Sequence, residues 1–221
     1  MRLPDLIRNS GMLRQPLLTA SRLLLTLLES GPGLLRRAMY DAMPVPYLVT
    51  GRPEKFVVST ADKVIGRELF LHGEFDFQKL RSALAIMARE GCPSPSHLID
   101  VGANIGSITI PALKRGLMQT ATAIEPHPGN LRLLRANIAL NGLENHVAVL
   151  AQAVGNCDAV LQLYESATNS GNHSIRNKGI PVLSSRLDDL PLPTAQSLLW
   201  MDIEGYEGHA LLGATRLVVA G

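Results

Sequence analysis

Two glycines four positions apart form the first feature of this sequence that could do chemistry. Gly102 and Gly106 follow a short apolar run at residues 98–101, and the pattern after them is helical. Because glycine has no Cβ, a ligand can approach the backbone closely at such a turn. The N-terminus of the following helix supplies unpaired N–H groups. Asp100, just before the turn, adds a carboxylate that suits a cationic ligand group. The segment predicts a ligand site.

Glu125 is the second candidate, 19 residues beyond Gly106 and directly after the predicted strand at residues 120–124. A carboxylate at the end of this strand can accept hydrogen bonds from both hydroxyls of a ribose. The carboxyl ends of neighbouring parallel strands meet at one edge of a sheet, where open α/β sheets bind ligands. The glycine turn and Glu125 therefore predict one nucleotide-like site.

The glycine spacing narrows the choice of cofactor. A dinucleotide fingerprint reads G-x-G-x-x-G, but here Asn104 stands at the middle position, and no Walker lysine follows. A pyrophosphate needs a bare glycine turn, whereas S-adenosylmethionine (SAM) carries no phosphate and tolerates Asn104 and Asp100. We therefore predict SAM as the cofactor. The alternative is an ordinary turn between strand and helix, with glycines that serve packing.

Asp202 and Glu204 form a second acidic cluster after the apolar run at residues 198–201. Two residues apart on an extended chain, they point the same way. Methyl transfer to a hydroxyl is an in-line displacement that requires a positioned acceptor and the removal of a proton. We predict Asp202 and Glu204 as the catalytic groups. His209 is a third candidate for proton removal, although a simple surface position explains it equally.

A metal site is not expected. The six histidines show no paired spacing, and the two cysteines are too few for a zinc site. A divalent ion held by Asp202 and Glu204 has no further ligands in the sequence. Cys92 and Cys157 suit free thiols in a reducing compartment, which predicts a cytoplasmic protein.

The elements that must position these residues alternate between strand and helix from residue 97 onward. This alternation predicts an α/β fold, a Rossmann-like parallel sheet with helices on both faces. The predicted strands lie at residues 56–59, 97–101, 120–124, 147–154, 160–164 and 198–203. The predicted helices include residues 62–70, 77–90 and 107–113, and a polar loop covers residues 169–178.

Residues 1–50 are predicted to be a helical N-terminal appendage, and residues 51–221 the ligand-binding domain. Residues 1–41 hold six Arg and three acids. Leu17, Leu24 and Leu28 share one side of a helix, and Arg22 interrupts the apolar run. The run is shorter than the ~20 residues of a membrane span. Such a helix either lies on an anionic membrane or packs on its own domain or a partner protein.

The composition indicates a globular protein, with 46% hydrophobic and 18% charged residues among 221. The formal net charge of +2 gives no reason to expect nucleic acid as a partner.

Taken together in their order, these motifs resemble the FkbM-type methyltransferase family. Residues 99–106 match the family's cofactor loop, residues 123–126 its ribose-acid motif, and residues 202–207 its D-x-E-G-x-E signature. The segments at 59–65, 73–76, 153–156, 169–174 and 187–190 resemble the stretches between them. The resemblance covers roughly residues 56–215.

The resemblance implies a class I methyltransferase domain that uses SAM to methylate a hydroxyl on a small molecule or a glycan precursor. It carries these residues over as cofactor contacts: Asp76, Asp100, Gly102, Ala103, Asn104, Gly106, Glu125, Gln152 and Ala153. Asp76 stands where the family commonly has Glu. The loop at 169–174, with Asn169, His173 and Ser174, would face the acceptor, and a solvated turn is its simpler interpretation.

The sequence departs from the family pattern at its end. A class I methyltransferase sheet has seven strands, and the family continues past its D-x-E-G-x-E motif, whereas four or five core strands can be placed here. We therefore expect a C-terminally truncated domain, an edge covered by a partner, or a degenerate domain. A non-catalytic methyltransferase-like interaction module is the alternative function. An NAD-dependent oxidoreductase is a third, disfavoured by the missing central glycine.

Overall fold

A computed structural model describes residues 11–51, 53–166 and 169–220, and the chain divides into two units, Met1–Pro44 and Val45–Gly221. The first unit contains helix α1, Gly11–Ser30, and helix α2, Gly33–Asp41. The guanidinium of Arg36 donates a hydrogen bond to the carbonyl of Leu28 and ties the two helices together. Residues 1–10 of the predicted appendage lie outside the described residues. No helix in the described ranges is long and apolar enough to cross a membrane.

The second unit opens with an antiparallel hairpin of strand β1, Tyr47–Gly51, and strand β2, Lys55–Ser59. Strand β1 corrects the helical assignment of residues 47–50. Pro44 and Pro46 prevent a helix from continuing, because proline lacks an N–H and disfavours helical geometry in the residue before it. The backbone beyond them pairs with β2 instead.

The remaining elements follow in chain order. They are α3 Ile65–His72, α4 Phe77–Arg89, β3 His97–Val101, α5 Thr109–Lys114, β4 Thr120–Ile124, α6 Pro128–Leu140, β5 Val147–Leu150, β6 Ala153–Val154, β7 Ala159–Tyr164, β8 Ser174–Ile175, β9 Ile180–Ser185, a 3-10 turn Leu187–Asp189, β10 Ser197–Met201, α7 Glu207–Leu212 and α8 Thr215–Ala220.

The central sheet has four parallel strands in the order β10-β3-β4-β5. Strand β3 is buried along its whole length, as expected for a strand inside a parallel sheet covered by helices. The strand order reverses direction between β3 and β10, and open sheets of this kind bind ligands at such a switch point. The predicted Rossmann-like α/β fold is confirmed.

Strand β10 is half-buried at each of its five positions, although the sequence predicted a buried strand. In the described part of the chain it pairs with β3 alone and is therefore the edge of this sheet. Its apolar composition matches a strand covered on both faces, whereas its position leaves one side open.

The second sheet has the order β6-β9-β7-β8. The single strand predicted at residues 147–154 is in fact two strands, because the chain turns away from β4 at residues 151–152 and β6 pairs with β9. Strand β9 was missed, since Pro181 interrupts its alternating pattern and proline is unusual within a strand. A core cluster joins the two sheets to α7 through Ile99, Val101, Ile124, Val154, Leu187 and Ala210.

Candidate functional site

A pocket opens at the carboxyl ends of β3, β4 and β10, with about 920 Å³ of space when its opening to solvent is included. This size suits a small organic ligand. Eleven of the fourteen predicted site residues line it: Asp76, Asp100, Gly102, Ala103, Asn104, Glu125, Gln152, Ala153, His173, Asp202 and Glu204. The other three, Gly106, Asn169 and Ser174, do not.

The two glycines of the turn serve different purposes. Gly102 has φ +87°, and a Cβ there would lie 2.1 Å from the carbonyl oxygen of Asp202. Gly106 has φ +92°, and its Cβ would lie 2.7 Å from Cδ1 of Ile110 and 3.1 Å from Cδ1 of Leu134. Gly102 therefore allows the turn to pass against the end of β10, whereas Gly106 allows α5 and α6 to pack.

Asn104 organises the turn. It adopts φ +52°, a conformation that Asn tolerates better than most residues. Its Oδ1 accepts from the N–H of Ile105 at 2.8 Å, and its Nδ2 donates to the carbonyl of Ser170 at 2.8 Å. Its own N–H donates to Glu125 at 2.9 Å. Asn104 thus connects the turn to the predicted ribose acid and to the loop after residue 168.

Glu125 is buried at the end of β4. One carboxylate oxygen accepts from the N–H of Asn104 and the other from the N–H of His127 at 2.8 Å. Burial raises the pKa of Glu125 to about 7, against the lowering effect of these donors. A carboxylate has about four acceptor positions. Because Nδ2 of Asn130 also donates to Glu125 at 3.4 Å, the carboxylate keeps capacity for one further donor from a ligand.

Asp100 lies in β3, fully buried, and accepts a hydrogen bond from the hydroxyl of Thr109. Burial raises the pKa of Asp100 to about 6, and the nearby charge of Asp202 adds to this effect. A cationic ligand group in the pocket would stabilise the ionised form.

Asp202 and Glu204 lie at the open side of the pocket, and neither carboxylate accepts a hydrogen bond from the described residues. Partial burial, followed by the charge of Asp76, raises the pKa of Asp202. Partial burial, followed by Asp202, raises the pKa of Glu204. Glu204 adopts φ +52° and Gly205 φ +90°, so a left-handed turn, not an extended chain, brings both acids to the pocket.

Asp76 completes an acidic side of the pocket. It precedes α4 with φ +55°, and its carboxylate pairs with Nζ of Lys79 at 2.7 Å. With Asp100, Asp202 and Glu204, it brings to four the carboxylates that line the pocket besides Glu125.

The predicted acceptor loop divides between two environments. His173 lines the pocket, its Nδ1 accepts from the N–H of Ser166 at 3.0 Å, and burial, followed by His127, lowers its pKa to about 4. Asn169 lines a second cavity and accepts from the N–H of Gly171. The buried hydroxyl of Ser174 accepts from Nε of Arg176 at 3.0 Å. Of these three predicted substrate residues, only His173 reaches the pocket.

Several lining residues escaped the sequence analysis. Ser170, Asn130 and Trp200 line the pocket, as does Tyr206, whose ring stacks on His209 at 4.4 Å between centroids. Tyr206 lies within the 202–207 motif and could have been singled out. Ser170 and Asn130 approach the turn only through long-range packing. No cluster of potential metal ligands occurs in the described ranges.

A parallel sheet with a glycine turn and a buried acid at its switch point defines a Rossmann-like, cofactor-binding class of α/β protein. Residues 100–220 match the model of the methyltransferase FkbM domain. The match covers more than half of the chain, so this protein belongs to the FkbM methyltransferase family. The resemblance predicted from the sequence is confirmed.

Solved structures offer more distant similarities. The methyltransferase FkbM of Methylobacillus flagellatus KT is 21% identical, with a TM-score of 0.44 over 57% of this chain and 31% of that one. M. jannaschii TYW2 in complex with AdoMet is 23% identical, with a TM-score of 0.34 over 48% and 43%. M. jannaschii tRNA m1G37 methyltransferase is 21% identical, with a TM-score of 0.34 over 49% and 29%. This chain therefore spans under half of each. No curated protein matches it.

Proposed function

We propose that this chain is a SAM-dependent methyltransferase that methylates a hydroxyl of a small molecule or a glycan precursor. Membership of the FkbM family supports methyl transfer. The observation that supports this cofactor is the charge of the pocket, which is lined by Glu125 and four further carboxylates.

The negative charge of these carboxylates matches the positive charges of SAM. SAM carries a positive sulfur and an ammonium group, and the carboxylates of Asp76, Asp100, Asp202 and Glu204 would stabilise both. Glu125 would accept a ribose hydroxyl. A dinucleotide would bring two negative phosphates toward the same carboxylates, which disfavours NAD.

Gln152 supports an adenine position. Its Nε2 is buried without a hydrogen-bond partner among the described residues, and the side chain lines the pocket beside Ala153. Buried donors without a partner are rare because they cost free energy. An adenine nitrogen bound there would satisfy this donor.

When bound, SAM supplies a methyl group that forms a bond to the acceptor oxygen, while the carbon–sulfur bond breaks and leaves its electron pair on sulfur. Asp202 would take the hydroxyl proton, since its raised pKa makes it a better base than an ordinary carboxylate. Glu204 would hold the acceptor from the same side, and the left-handed turn at residues 204–205 would fix its direction.

Calorimetric titration with S-adenosylhomocysteine (SAH), with NADH in parallel, tests the cofactor. We expect saturable binding of SAH alone. A screen of hydroxylated acceptors with labelled SAM then tests transfer, and NMR of the product identifies the methylated atom. NADH binding without SAH binding would support an oxidoreductase instead. SAH binding without transfer to any acceptor class would favour the non-catalytic module.

A further inference from the structure

The segment after residue 168 lies against the cofactor pocket, and Ser170 holds it there. Ser170, Gly171 and His173 all line the pocket. The side-chain hydroxyl of Ser170 donates to Oδ2 of Asp62 at 2.5 Å, across 108 positions of sequence. Neither Ser170 nor Asp62 was singled out as a site residue by the sequence analysis.

Asp62 is a rigid anchor for this contact. It is buried just before α3, where its Oδ1 accepts from the N–H of Val64 at 2.9 Å and its Oδ2 from the N–H of Gly66 at 3.1 Å. These two bonds hold the carboxylate in place independently of Ser170. The Ser170 hydroxyl therefore meets an acceptor whose position is already set.

The backbone carbonyl of Ser170 connects the segment to the side of the pocket that contains Glu125. It accepts from Nδ2 of Asn104 at 2.8 Å and from Nδ2 of Asn130 at 3.3 Å. Both donors also contact Glu125, Asn104 through its N–H at 2.9 Å and Asn130 through the same Nδ2 at 3.4 Å. Asn104, Asn130 and Glu125 are all buried. A shift of Ser170 would therefore disturb the surroundings of the predicted ribose acid.

Gly171 keeps the segment close to α3. A Cβ at this position would lie 2.8 Å from Cδ1 of Ile65, which also lines the pocket. The hydroxyl of Ser170 and the missing side chain of Gly171 thus act together to hold the segment over the ligand space.

We infer that Ser170 is a positioning residue that fastens the segment 169–173 over the cofactor pocket by joining Asp62 to Asn104 and Asn130. This inference rests on the proposed function for the identity of the ligand, whereas the fastening itself belongs to the ligand-free chain. The Ser170 contact slows cofactor release and keeps Glu125 oriented without touching the reacting atoms.

Ser170→Ala tests this role in the full chain. A hydrogen bond to a charged group is worth roughly a tenfold to hundredfold change in an equilibrium, so SAH affinity should fall by about tenfold or more. The dissociation rate of SAH, measured by stopped flow, should rise by a similar factor. Hydrogen exchange at the amides of residues 169–173 should accelerate without ligand. The thermal midpoint of the ligand-free chain should fall by only a few degrees. Exchange of amides outside residues 169–173 should stay as in the wild type, which separates positioning from general destabilisation.

Two further variants sharpen the test. Ser166→Ala makes the same change four residues before Ser170. The backbone N–H of Ser166 donates to His173, and its hydroxyl has no hydrogen bond among the described residues, so this variant should retain wild-type affinity and exchange. Ser170→Thr keeps the hydroxyl, and Ser170 borders both cavities, which leaves space for the extra methyl. Ser170→Thr should restore most of the affinity.

The outcomes separate this inference from the proposed function. Unchanged SAH affinity in Ser170→Ala would overturn the inference, as would an equal loss in Ser166→Ala. If the wild-type chain binds no SAH, the proposed function fails and the exchange measurement alone decides. Faster exchange confined to residues 169–173 in Ser170→Ala would then support the fastening, and unchanged exchange would refute it.

Discussion

Gly102 and Asp202 approach each other so closely that a Cβ at residue 102 would lie 2.1 Å from the carbonyl oxygen of Asp202. Backbone pairing continues past the strands at this point, since the N–H of Asp202 donates to the carbonyl of Val101 at 3.0 Å. The glycine turn and the predicted catalytic acid are therefore parts of one packed unit. The sequence suggested that residue 102 is glycine to leave space for a ligand. The structure adds a second reason, since any larger residue there would meet the end of β10.

Gly102→Ala is expected to destabilise the fold and displace Asp202. A left-handed conformation costs a residue with a Cβ ~1–2 kcal/mol, and the clash with backbone adds to this. We expect a loss of at least about 2 kcal/mol in the free energy of unfolding and weaker SAH binding. Denaturant unfolding and calorimetry measure the two effects.

Gly208→Ala is the matched control, because a Cβ there meets nothing within 4 Å and the residue lies in α7. This variant should be at least as stable as the wild type, since Ala favours a helix over Gly. If Gly102→Ala were as stable as Gly208→Ala and bound SAH equally well, the close approach of Gly102 to Asp202 would matter neither for the fold nor for binding.

Glu125→Gln tests the predicted ribose acid. It keeps the size and one acceptor oxygen but loses the charge, so we expect SAH affinity to fall by about tenfold to a hundredfold. Calorimetry of the folded variant measures the loss. Glu144→Gln, on the exposed surface before β5, is the control and should bind as the wild type does. Equal affinity in both variants would place the ribose elsewhere.

The raised pKa of Glu125 has a further consequence for stability. Its pKa is about 7 in the folded chain against an ordinary value of 4.5, chiefly because of burial. Between these values the folded state holds a proton that the unfolded state has lost, so this contribution to stability is complete below about pH 4.5 and falls as pH rises through 7. Glu125→Gln should flatten the decline of unfolding free energy between pH 5 and 8, as measured by urea titration at each pH.

Asp100 also has a raised pKa, of about 6. Its loss of a proton should therefore preserve part of the decline of unfolding free energy with pH in Glu125→Gln. Glu165→Gln, which changes an exposed acid paired with His127, should leave the Glu125 contribution in place. A pH dependence of stability identical in the wild type and Glu125→Gln would mean that Glu125 is ionised throughout this range.

The features that sequence could predict are local ones. The Gly102 turn and Glu125 each lie within a few residues of a strand end, so strand alternation alone placed them together. Ser170 and Asp62 are 108 positions apart and meet only through the packing of the whole unit. No periodicity or residue spacing in the sequence predicts such a contact.

The errors of sequence analysis have the same origin. Strands β5 and β6 read as one apolar run, and their separation depends on the pairing of β6 with β9, a distant strand. Strand β10 has the composition of a buried strand, whereas its edge position follows from the sheet order. Gly106 matched a cofactor motif but packs against Ile110 and Leu134, which only the arrangement of α5 and α6 reveals.

The apolar side of α1 remains a predicted contact surface. Leu24 and Leu25 are each 57% exposed, and Arg22 and Arg37 are exposed as well. An apolar helical face with basic residues suits an anionic lipid surface. We expect the full chain to float with vesicles containing phosphatidylserine more than with phosphatidylcholine alone.

Leu24→Glu combined with Leu25→Glu should abolish this flotation. Thr19→Glu combined with Thr26→Glu adds the same charge on the opposite side of α1 and should reduce flotation less. If the wild-type chain stays with the unbound fraction under all conditions, the lipid contact is refuted. A protein partner, or a second copy of the chain, would then be the occupant to seek, beginning with light scattering of the wild type.

Asp202→Asn separates proton transfer from cofactor binding. Loss of a general base lowers turnover by about 10²–10⁴-fold, while SAH keeps the contacts proposed for Glu125 and the turn and loses only one of the four carboxylates proposed to face its ammonium group. We therefore expect kcat with labelled SAM to fall and the SAH affinity to change much less. Glu204→Gln should raise KM for the acceptor more than it lowers kcat, because Glu204 is assigned to holding the acceptor. A wild-type rate in Asp202→Asn would make Asp202 structural, and its backbone contact with Val101 and its approach to Gly102 would then be its whole role.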